Sequence, residues 1–317
     1  IFSASKDKVP NVWWSHNGER LGSFHGHEGV IWSMAVTADS ARLVTGSGDS
    51  TARIWAVDGG RELARIETST AVRAVALSMG DRMLALVTDQ TIGKPTQILV
   101  YELATLRLLR CIGCGMDARA RPTVVAWTDC NEHIVTGHED GSVALWDWRN
   151  CGSPALPPPE DAATVAACVR RARPHTDAIR DLQMSPDRSY FITASRDHLA
   201  HIIDTATLAV LKTFRTERPV NAAAISPLRN EVVIAGGQDA LHVTTTSSSA
   251  GKFEARFFHQ IYENELGRVR GHFGPINTLA YHPDGSGYAS GAEDGYIRLH
   301  HFDPDYFAFQ KDEPVFL

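Results

Sequence analysis

The sequence lacks several features that would place it in other classes of protein. None of its apolar runs approaches 18 residues, so no transmembrane helix and no membrane partner are predicted. Residues 1–8 carry no signal-peptide pattern. The five cysteines are odd in number and sparse, which is unlike a disulfide framework. These absences favour a reducing, cytoplasmic compartment.

The chain also lacks an excess of basic residues. Its 317 residues include 31 lysines and arginines against 37 aspartates and glutamates, a formal net charge of −6. Binding to a phosphate backbone normally needs a basic face, so we expect little or no direct contact with nucleic acid. Hydrophobic residues make up 43% of the chain, enough to fill a sizeable core, and this excludes bulk disorder.

Recognisable catalytic motifs are missing as well. The sequence has no Gly-x-Ser-x-Gly elbow, no P-loop and no His-Glu-x-x-His helix. Cys111 and Cys114 form a Cys-x-x-Cys pair, but no second close pair follows them, and two ordinary buried thiols are the simpler interpretation. The sequence therefore predicts no enzyme, no cofactor and no metal site.

What the sequence does contain is an internal repeat. A cluster of small residues that ends in aspartate recurs seven times, at spacings of 40 to 57 residues. The seven aspartates are Asp7, Asp49, Asp89, Asp140, Asp197, Asp239 and Asp294. Each lies between two short apolar runs, which indicates a strand, a tight turn and a second strand. Repeats of this length are typical of β-propellers.

Fixed offsets around these aspartates predict a hydrogen-bonded network within the repeats. In three repeats a tryptophan lies six residues after the aspartate, and in three a histidine lies 22 residues before it. With a hydroxyl on the second strand, the predicted network residues are His27, Thr45, Asp49 and Trp55, then His175, Thr193 and Asp197, then His272, Ser290 and Asp294. The aspartate would orient the imidazole, the hydroxyl would bridge, and the indole N–H would find a partner. This structural role argues against a catalytic triad of Ser195, His175 and Asp197.

The repeat count predicts an all-β fold, a single seven-bladed WD-repeat β-propeller over residues 1–317 with four antiparallel strands per blade. Seven repeats of roughly 42 residues fit this length, and no long linker divides the chain. Counting back 22 residues from Asp7 passes the first residue. We therefore expect the first repeat to lack its opening strand and the N-terminal closing strand to be missing from this sequence.

Insertions and ends leave several interpretations open. Inserts are predicted at residues 90–96, in a proline-rich loop at 151–163, and around 244–252. The hydroxyl run at 244–249 is either a polar hairpin loop or a phosphorylation site. The basic cluster Arg170, Arg171 and Arg173 either ends a solvated strand or touches RNA. The aromatic residues of the C-terminal tail, 303–317, pack either on the propeller or into a partner.

Several segments are more specific than generic repeat sequence. They are residues 213–221 (TFRTERPVN), 251–259 (GKFEARFFH), 267–277 (GRVRGHFGPIN) and 293–304 (EDGYIRLHHFDP), with 17–22 (NGERLG) near the start. These segments resemble the subunit i family of eukaryotic translation initiation factor 3. The resemblance covers essentially the whole chain and is densest from residue 213 to 309. The third and fourth repeats depart most from the family.

The resemblance implies a non-catalytic scaffold subunit. It implies that the propeller docks a C-terminal helix of subunit b, associates with subunit g, and reaches the small ribosomal subunit through the complex. The implied role is assembly of the 43S/48S pre-initiation complex and scanning. The implied helix dock lies along the fifth and sixth blades and includes Asp204, Thr205, Thr216, Glu217 and Arg218.

Other interpretations compete with this one. Glu217 and Arg218 are equally well explained as a solvated turn before Pro219. At the level of function, the main alternative is another WD-repeat adaptor that serves a receptor or a kinase. An enzyme with a propeller active site would need converging polar residues outside the repeat pattern, and an RNA-binding propeller is disfavoured by the net charge of −6.

Overall fold

Seven antiparallel sheets follow one another along the chain, and within each sheet consecutive strands are neighbours. They are seen in a computed structural model that describes residues 1–114, 120–150, 168–237 and 253–308. The chain divides into two compact units, residues 1–220 and 221–317. The sheet count and strand order confirm the predicted fold class, an all-β seven-bladed WD-repeat β-propeller.

The first unit contains five sheets. The first has three strands, β1 (Phe2–Ser3), β2 (Asn11–Trp13) and β3 (Arg20–Ser23). The next four have four strands each. The second sheet contains β4 (Ile31–Val36), β5 (Arg42–Ser47), β6 (Thr51–Ala56) and β7 (Glu62–Glu67), and the third contains β8 (Val72–Leu77), β9 (Met83–Thr88), β10 (Gln97–Glu102) and β11 (Leu108–Gly113). The fourth contains β12 (Pro122–Trp127), β13 (Ile134–His138), β14 (Val143–Trp146) and β15 (Cys168–Ala172), and the fifth contains β16 (Ile179–Met184), β17 (Tyr190–Ser195), β18 (Leu199–Asp204) and β19 (Val210–Arg215). Short 3-10 helices occupy three of the turns, Asp58–Gly60, Met79–Asp81 and Asp129–Asn131.

The second unit contains the sixth and seventh sheets. Their strands are β20 (Val220–Ile225), β21 (Glu231–Gly236), β22 (Glu254–His259), β23 (Glu265–Arg270); and β24 (Ile276–Tyr281), β25 (Gly287–Ala292), β26 (Ile297–His301). A short helix, α1 (Pro304–Ala308), follows the last strand. Four strands per blade therefore holds for five sheets, whereas the first and seventh have three strands each among the described residues.

The sheets of the first unit stack face to face because their strands are apolar on both faces. In β9, Leu84 and Leu86 point into the core shared with the second sheet. Their neighbours Ala85 and Val87 point into the core shared with the fourth sheet. Successive side chains of a strand alternate between the two faces, so one run of apolar residues supplies two cores. This explains why β9 reads as a continuous apolar run rather than an alternating one.

Glycines in the repeated small-residue cluster allow the sheets to approach each other. A Cβ atom on Gly46 would lie 2.7 Å from Val72 Cγ1, in β8, the first strand of the next sheet. A Cβ atom on Gly137 would lie 2.9 Å from Ile179 Cγ2, again in the next sheet. Both glycines stand three residues before the aspartate of their repeat. The small residues of the cluster are therefore required by packing as well as by the turn.

The predicted insertions are only partly within the described residues. Residues 90–96 form the connection between β9 and β10, with a bridge between Thr91 and Lys94. The proline-rich loop at 151–163, the segment 244–252 with its hydroxyl run at 244–249, and the tail beyond residue 308 lie outside them. In the described tail, Tyr306 stacks on Phe302 at 4.0 Å between ring centroids and hydrogen-bonds to Glu231. No helix in the described ranges is long and apolar enough to cross a membrane.

Candidate functional site

The structure brings the four predicted residues of the second repeat into one hydrogen-bonded chain. His27 Nδ1 lies 2.8 Å from Asp49 Oδ2, and His27 Nε2 lies 2.7 Å from Thr45 Oγ1. Trp55 Nε1 donates to the same Thr45 oxygen at 2.9 Å. His27, Thr45 and Trp55 are buried, and the Asp49 side chain is largely buried.

Chemistry fixes the direction of the hydrogen bonds in this chain. An indole N–H can only donate and a carboxylate can only accept. Trp55 therefore donates to Thr45, and His27 Nδ1 donates to Asp49. Burial lowers the pKa of His27, which favours the neutral imidazole, and in that form Thr45 donates to His27 Nε2.

Asp49 holds the turn and the preceding loop as well as the histidine. Its Oδ2 accepts the backbone N–H of Glu28 at 3.0 Å, and its Oδ1 accepts the backbone N–H of Thr51 at 3.0 Å. Burial by itself would raise the pKa of Asp49, but hydrogen bonds from Thr51 and His27 lower it well below the usual range. The carboxylate is thus saturated with donors and has no free oxygen lone pair to offer as a catalytic base.

The fifth repeat forms the same contacts without a tryptophan. His175 Nδ1 lies 2.9 Å from Asp197 Oδ2, and His175 Nε2 lies 2.8 Å from Thr193 Oγ1. A second histidine, His201, packs against His175 with ring centroids 4.4 Å apart. Burial, followed by the nearby His175, lowers the pKa of His201 to about 4. The His201 ring is therefore suited to remain neutral at physiological pH.

Ser195 does not meet His175 in this arrangement. Its hydroxyl donates to the carbonyl oxygen of Asp177 at 3.0 Å. The histidine nitrogen that a nucleophile would need is instead bonded to Thr193. The three residues therefore do not have the geometry of a catalytic triad.

The seventh repeat, in the second unit, forms the set with a serine. His272 Nδ1 lies 3.0 Å from Asp294 Oδ2, and His272 Nε2 lies 2.8 Å from Ser290 Oγ. Asp294 Oδ2 also accepts the backbone N–H of Phe273 at 3.0 Å. The structure thus brings together all ten predicted network residues within their own repeats.

The fourth repeat contains a network histidine that the sequence pattern missed. His138 lies two residues before Asp140 instead of 22. Its Nε2 is 2.8 Å from Thr136 Oγ1, which also accepts the indole N–H of Trp146 at 2.8 Å. Its Nδ1 donates to the carbonyl oxygen of Ala120 at 2.6 Å, and burial lowers its pKa to about 4. The sequence signal that could have identified this histidine is the Gly-His pair at residues 137 and 138, inside the small-residue cluster that ends at Asp140.

The five predicted partner-binding residues lie at the two ends of one hairpin. Strand β19 is the outer strand of the fifth sheet and pairs with β18. Arg215 lies opposite Leu199 at one end of the pair, and Val210 lies opposite Ile203 at the other. Asp204 and Thr205 lie just beyond the Ile203 end, whereas Thr216, Glu217 and Arg218 lie just beyond the Arg215 end. At about 3.3 Å per residue, the length of β19 separates the two groups.

Asp204 and Thr205 stabilise the local chain. The Asp204 carboxylate accepts the backbone N–H and the hydroxyl of Thr207, at 2.7 and 2.6 Å. These bonds lower the pKa of Asp204. The Thr205 hydroxyl donates to the carbonyl oxygen of Arg188 at 2.9 Å. These contacts give both residues a structural role in the turn.

Thr216 is bonded within the fold, in the same way as Thr68 of the second sheet, whereas the Glu217 side chain is exposed. The Thr216 hydroxyl lies 3.0 Å from the carbonyl oxygen of His198 and 2.6 Å from that of Arg218. Thr68, at the corresponding turn of the second sheet, has its hydroxyl 2.9 and 2.7 Å from two carbonyl oxygens in the same way. Of the five residues, Glu217 is therefore the one that a partner can reach most directly.

The cysteine pair is divided between two cores. Cys111 packs against the core between the second and third sheets, and Cys114 belongs to the core between the third and fourth. Burial raises the pKa of both thiols, which disfavours the thiolate that metals and electrophiles need. Across the described ranges, no group of three histidine, cysteine or acidic residues is arranged to hold a metal ion.

The basic cluster on β15 bonds to acceptors of its own chain. Arg170 donates to the carbonyl oxygen of Thr207 at 3.0 Å, and Arg173 donates to that of Asp140 at 2.9 Å. Arg171 pairs with the Asp140 carboxylate at 3.2 Å. These contacts favour a structural explanation of the cluster over an RNA-binding one.

Comparison with known proteins gives a consistent result over nearly the whole chain. The family model described as EIF3I matches residues 1–312. Among curated relatives named eukaryotic translation initiation factor 3 subunit I, the Bombyx mori protein is 44% identical over 316 residues, 98% of this chain and 92% of the relative. The Drosophila melanogaster protein is 44% identical over 318 residues, 97% of this chain and 91% of the relative. The Nematostella vectensis protein is 43% identical over 306 residues, 96% and 90% of the two chains.

Proposed function

Because the chain belongs to the family of eukaryotic translation initiation factor 3 subunit I, we propose that it is a non-catalytic scaffold within that factor. It works in the cytoplasm by docking other subunits, namely a C-terminal helix of subunit b and subunit g. Through the complex it reaches the small ribosomal subunit and supports assembly of the 43S/48S pre-initiation complex and scanning. The observation that carries the proposal is the family match over residues 1–312.

The histidine–aspartate pairs support a scaffold rather than an enzyme. In the second and fifth repeats both imidazole nitrogens are bonded within the fold, and the aspartates also accept backbone N–H groups. A general base needs a nitrogen or oxygen that a substrate can reach. Here these groups hold loops in place, and rigid loops are what a docking platform presents.

The outer strand β19 offers a surface for the subunit b helix. Val210 and Leu211, adjacent on this strand, are 43% and 51% exposed and provide apolar surface for a partner. A docked helix uses apolar anchors along one face, and charged residues set its register. Glu217 is exposed beyond one end of β19, and in this proposal its charge sets that register.

A binding titration with purified full chain and a labelled C-terminal segment of subunit b tests this dock. Reversal of charge in Glu217→Lys is expected to weaken binding about tenfold, equivalent to about 1.4 kcal/mol. Leu211→Ser is expected to weaken it as well, since it removes an apolar anchor. Glu67→Lys is the matched control, because Glu67 is exposed on the outer strand of the second sheet.

All three variants are expected to keep the unfolding midpoint of the parent chain, since surface substitutions of this kind change stability little. Wild-type affinity in both Glu217→Lys and Leu211→Ser would place the dock elsewhere. A failure of the unchanged chain to bind the segment at all would contradict the scaffold role itself.

A further inference from the structure

The first strands of the second to fifth sheets share a bulge at the same position. The pairing of β4, β8, β12 and β16 with the next strand slips by one residue at their second position. The extra residues are Trp32, Arg73, Thr123 and Arg180. A bulge removes one residue from the ladder and redirects its side chain. These four strands therefore have redirected side chains near their first residues.

Two of these side chains form a stacked pair. The guanidinium carbon of Arg73 lies 4.7 Å from the ring centroid of Trp32, a cation–π contact. Trp32 is 47% exposed, so part of its indole remains open to solvent. Gly48 lies beside the indole edge, where a Cβ atom would come within 3.3 Å of Trp32 Nε1. Within the described part of the chain, this indole N–H meets no acceptor.

Among the described residues, no acceptor lies within hydrogen-bonding distance of the Arg73 guanidinium, which is 22% exposed. Its guanidinium nitrogens lie 4.0 Å from Asp89 and 3.7 Å from Glu139, beyond hydrogen-bonding distance. Arg121 approaches the same two carboxylates more closely, at 3.6 Å and 2.8 Å. Because arginine has five N–H donors in a planar fork, Arg73 is left able to bind a further carboxylate.

We propose that Trp32 and Arg73 form a docking site for a peptide segment of a partner protein that carries a carboxylate beside an apolar side chain. The carboxylate bonds to the edge of the Arg73 guanidinium, which stays stacked on the indole. The apolar side chain covers the exposed part of Trp32. Tryptophan and arginine are the residue types that contribute most to binding at protein interfaces.

Charge favours a peptide over a nucleic acid at this site. Asp89 and Glu139 balance Arg73 and Arg121, so the four groups together are neutral. A strand of phosphates gains little from a neutral set on a chain of net charge −6. A single carboxylate needs one guanidinium with open donors, and Arg73 provides it.

The site is separate from the proposed dock on β19. Trp32 lies on β4 and Arg73 on β8, in the second and third sheets, whereas β19 belongs to the fifth. Binding at the two surfaces can therefore succeed or fail independently.

The test follows the indole N–H signals of the full chain by NMR after nitrogen-15 labelling. The chain has seven tryptophans, and Trp32→Phe identifies the signal of Trp32. Acetyl-Glu-Leu-Glu-amide is expected to shift this signal saturably. Acetyl-Gln-Leu-Gln-amide, which has the same shape without charge, is expected to bind at least about tenfold more weakly, as loss of a charge-assisted pair requires.

Variants locate the carboxylate contact. Arg73→Gln is expected to abolish the shift, and the unchanged positions of the other indole signals show that this variant is folded. Arg107→Gln is the matched control, because Arg107 is exposed, lies outside this site and, like Arg73, has an acidic neighbour beyond hydrogen-bonding distance, Glu102 at 3.9 Å. It is expected to bind the acidic peptide as the parent chain does.

Four results would overturn the proposal. They are an unmoved Trp32 signal with the acidic peptide, equal binding of the uncharged peptide, wild-type binding by Arg73→Gln, and a saturable shift with hexauridylate in place of the acidic peptide. The last of these would assign the site to nucleic acid.

Discussion

At the scale of single residues, the network of the second repeat depends on one hydroxyl. Thr45 accepts from Trp55 and donates to His27, so its removal leaves a buried donor and a buried acceptor without partners. A buried polar group without a partner destabilises a fold by about 1–3 kcal/mol. The Thr45 hydroxyl is therefore expected to contribute more to stability than the indole N–H alone.

We predict that Thr45→Val lowers the free energy of unfolding by about 2–4 kcal/mol, because two buried groups lose their partner. Trp55→Phe removes the indole donor and part of a fully buried ring, and is expected to cost about 1–3 kcal/mol. Urea denaturation of the full chain measures both. The control is Thr105→Val, at an exposed threonine, with an expected change below about 0.5 kcal/mol. An equal loss in Thr45→Val and Thr105→Val contradicts the junction role.

Stability is predicted to fall between about pH 6.5 and pH 4. Burial lowers the pKa of His138 and of His201 to about 4, below the value of 6.5 in an unfolded chain. In this range the unfolded chain binds protons that the folded chain excludes. The free energy of unfolding therefore has its full value above pH 6.5 and decreases as the pH falls. Each such histidine contributes a slope of up to about 1.4 kcal/mol per pH unit.

The unfolding midpoint in urea, measured from pH 7.5 to 4, checks this prediction. His138→Gln is expected to flatten part of the slope, because it removes one titrating group. His16→Gln, at an exposed histidine, is expected to leave the slope unchanged. A slope that is the same in all three proteins would show that buried neutral histidine does not determine the acid sensitivity.

At the scale of strands and sheets, close approach decides which residues are allowed. The atoms nearest to a Cβ on Gly46 belong to Val72 and Val75 of the next sheet, at 2.7 and 2.8 Å. Both are branched side chains in a packed core and have little room to move. The repeated small-residue cluster thus sets the distance between neighbouring sheets.

Gly46→Ala is predicted to destabilise the chain by about 1–3 kcal/mol, since it overpacks this core. Gly267→Ala is the matched control, because Gly267 also lies in a strand and has no atom within 4 Å of its would-be Cβ. That substitution is expected to be neutral or slightly stabilising. Thermal unfolding of the two variants distinguishes them. Equal midpoints would contradict the packing role of Gly46.

Sequence patterns captured the network only where each repeat draws its residues from the same offsets. They found His27, His175 and His272, but missed His138, because the fourth repeat supplies the imidazole from the second strand itself. A fixed offset cannot detect a side chain that enters the same space from another strand. The partner-binding residues show the converse limit, since Asp204 and Glu217 are near in sequence but lie at opposite ends of β19.

At the scale of the whole molecule, the fold was predictable because it is repetitive. Seven aspartates spaced along the chain correspond to seven sheets, and each aspartate described in the structure lies at the turn between two strands of its sheet. The loops are less predictable, since the inserts have no counterpart in the other repeats. Surface function was the least accessible to sequence, because residues such as the exposed Trp32 and the partly buried Arg73 lie outside the offsets that define the network.

The measurement that most directly tests the account is a pull-down of the tagged full chain from cell extract, run beside a sucrose gradient. As a scaffold of translation initiation factor 3, the chain is predicted to co-purify with the other subunits of that factor. A share of it is predicted to migrate with the small ribosomal subunit. Absence from that fraction, with kinases or receptors recovered in place of the initiation factor subunits, would contradict the account.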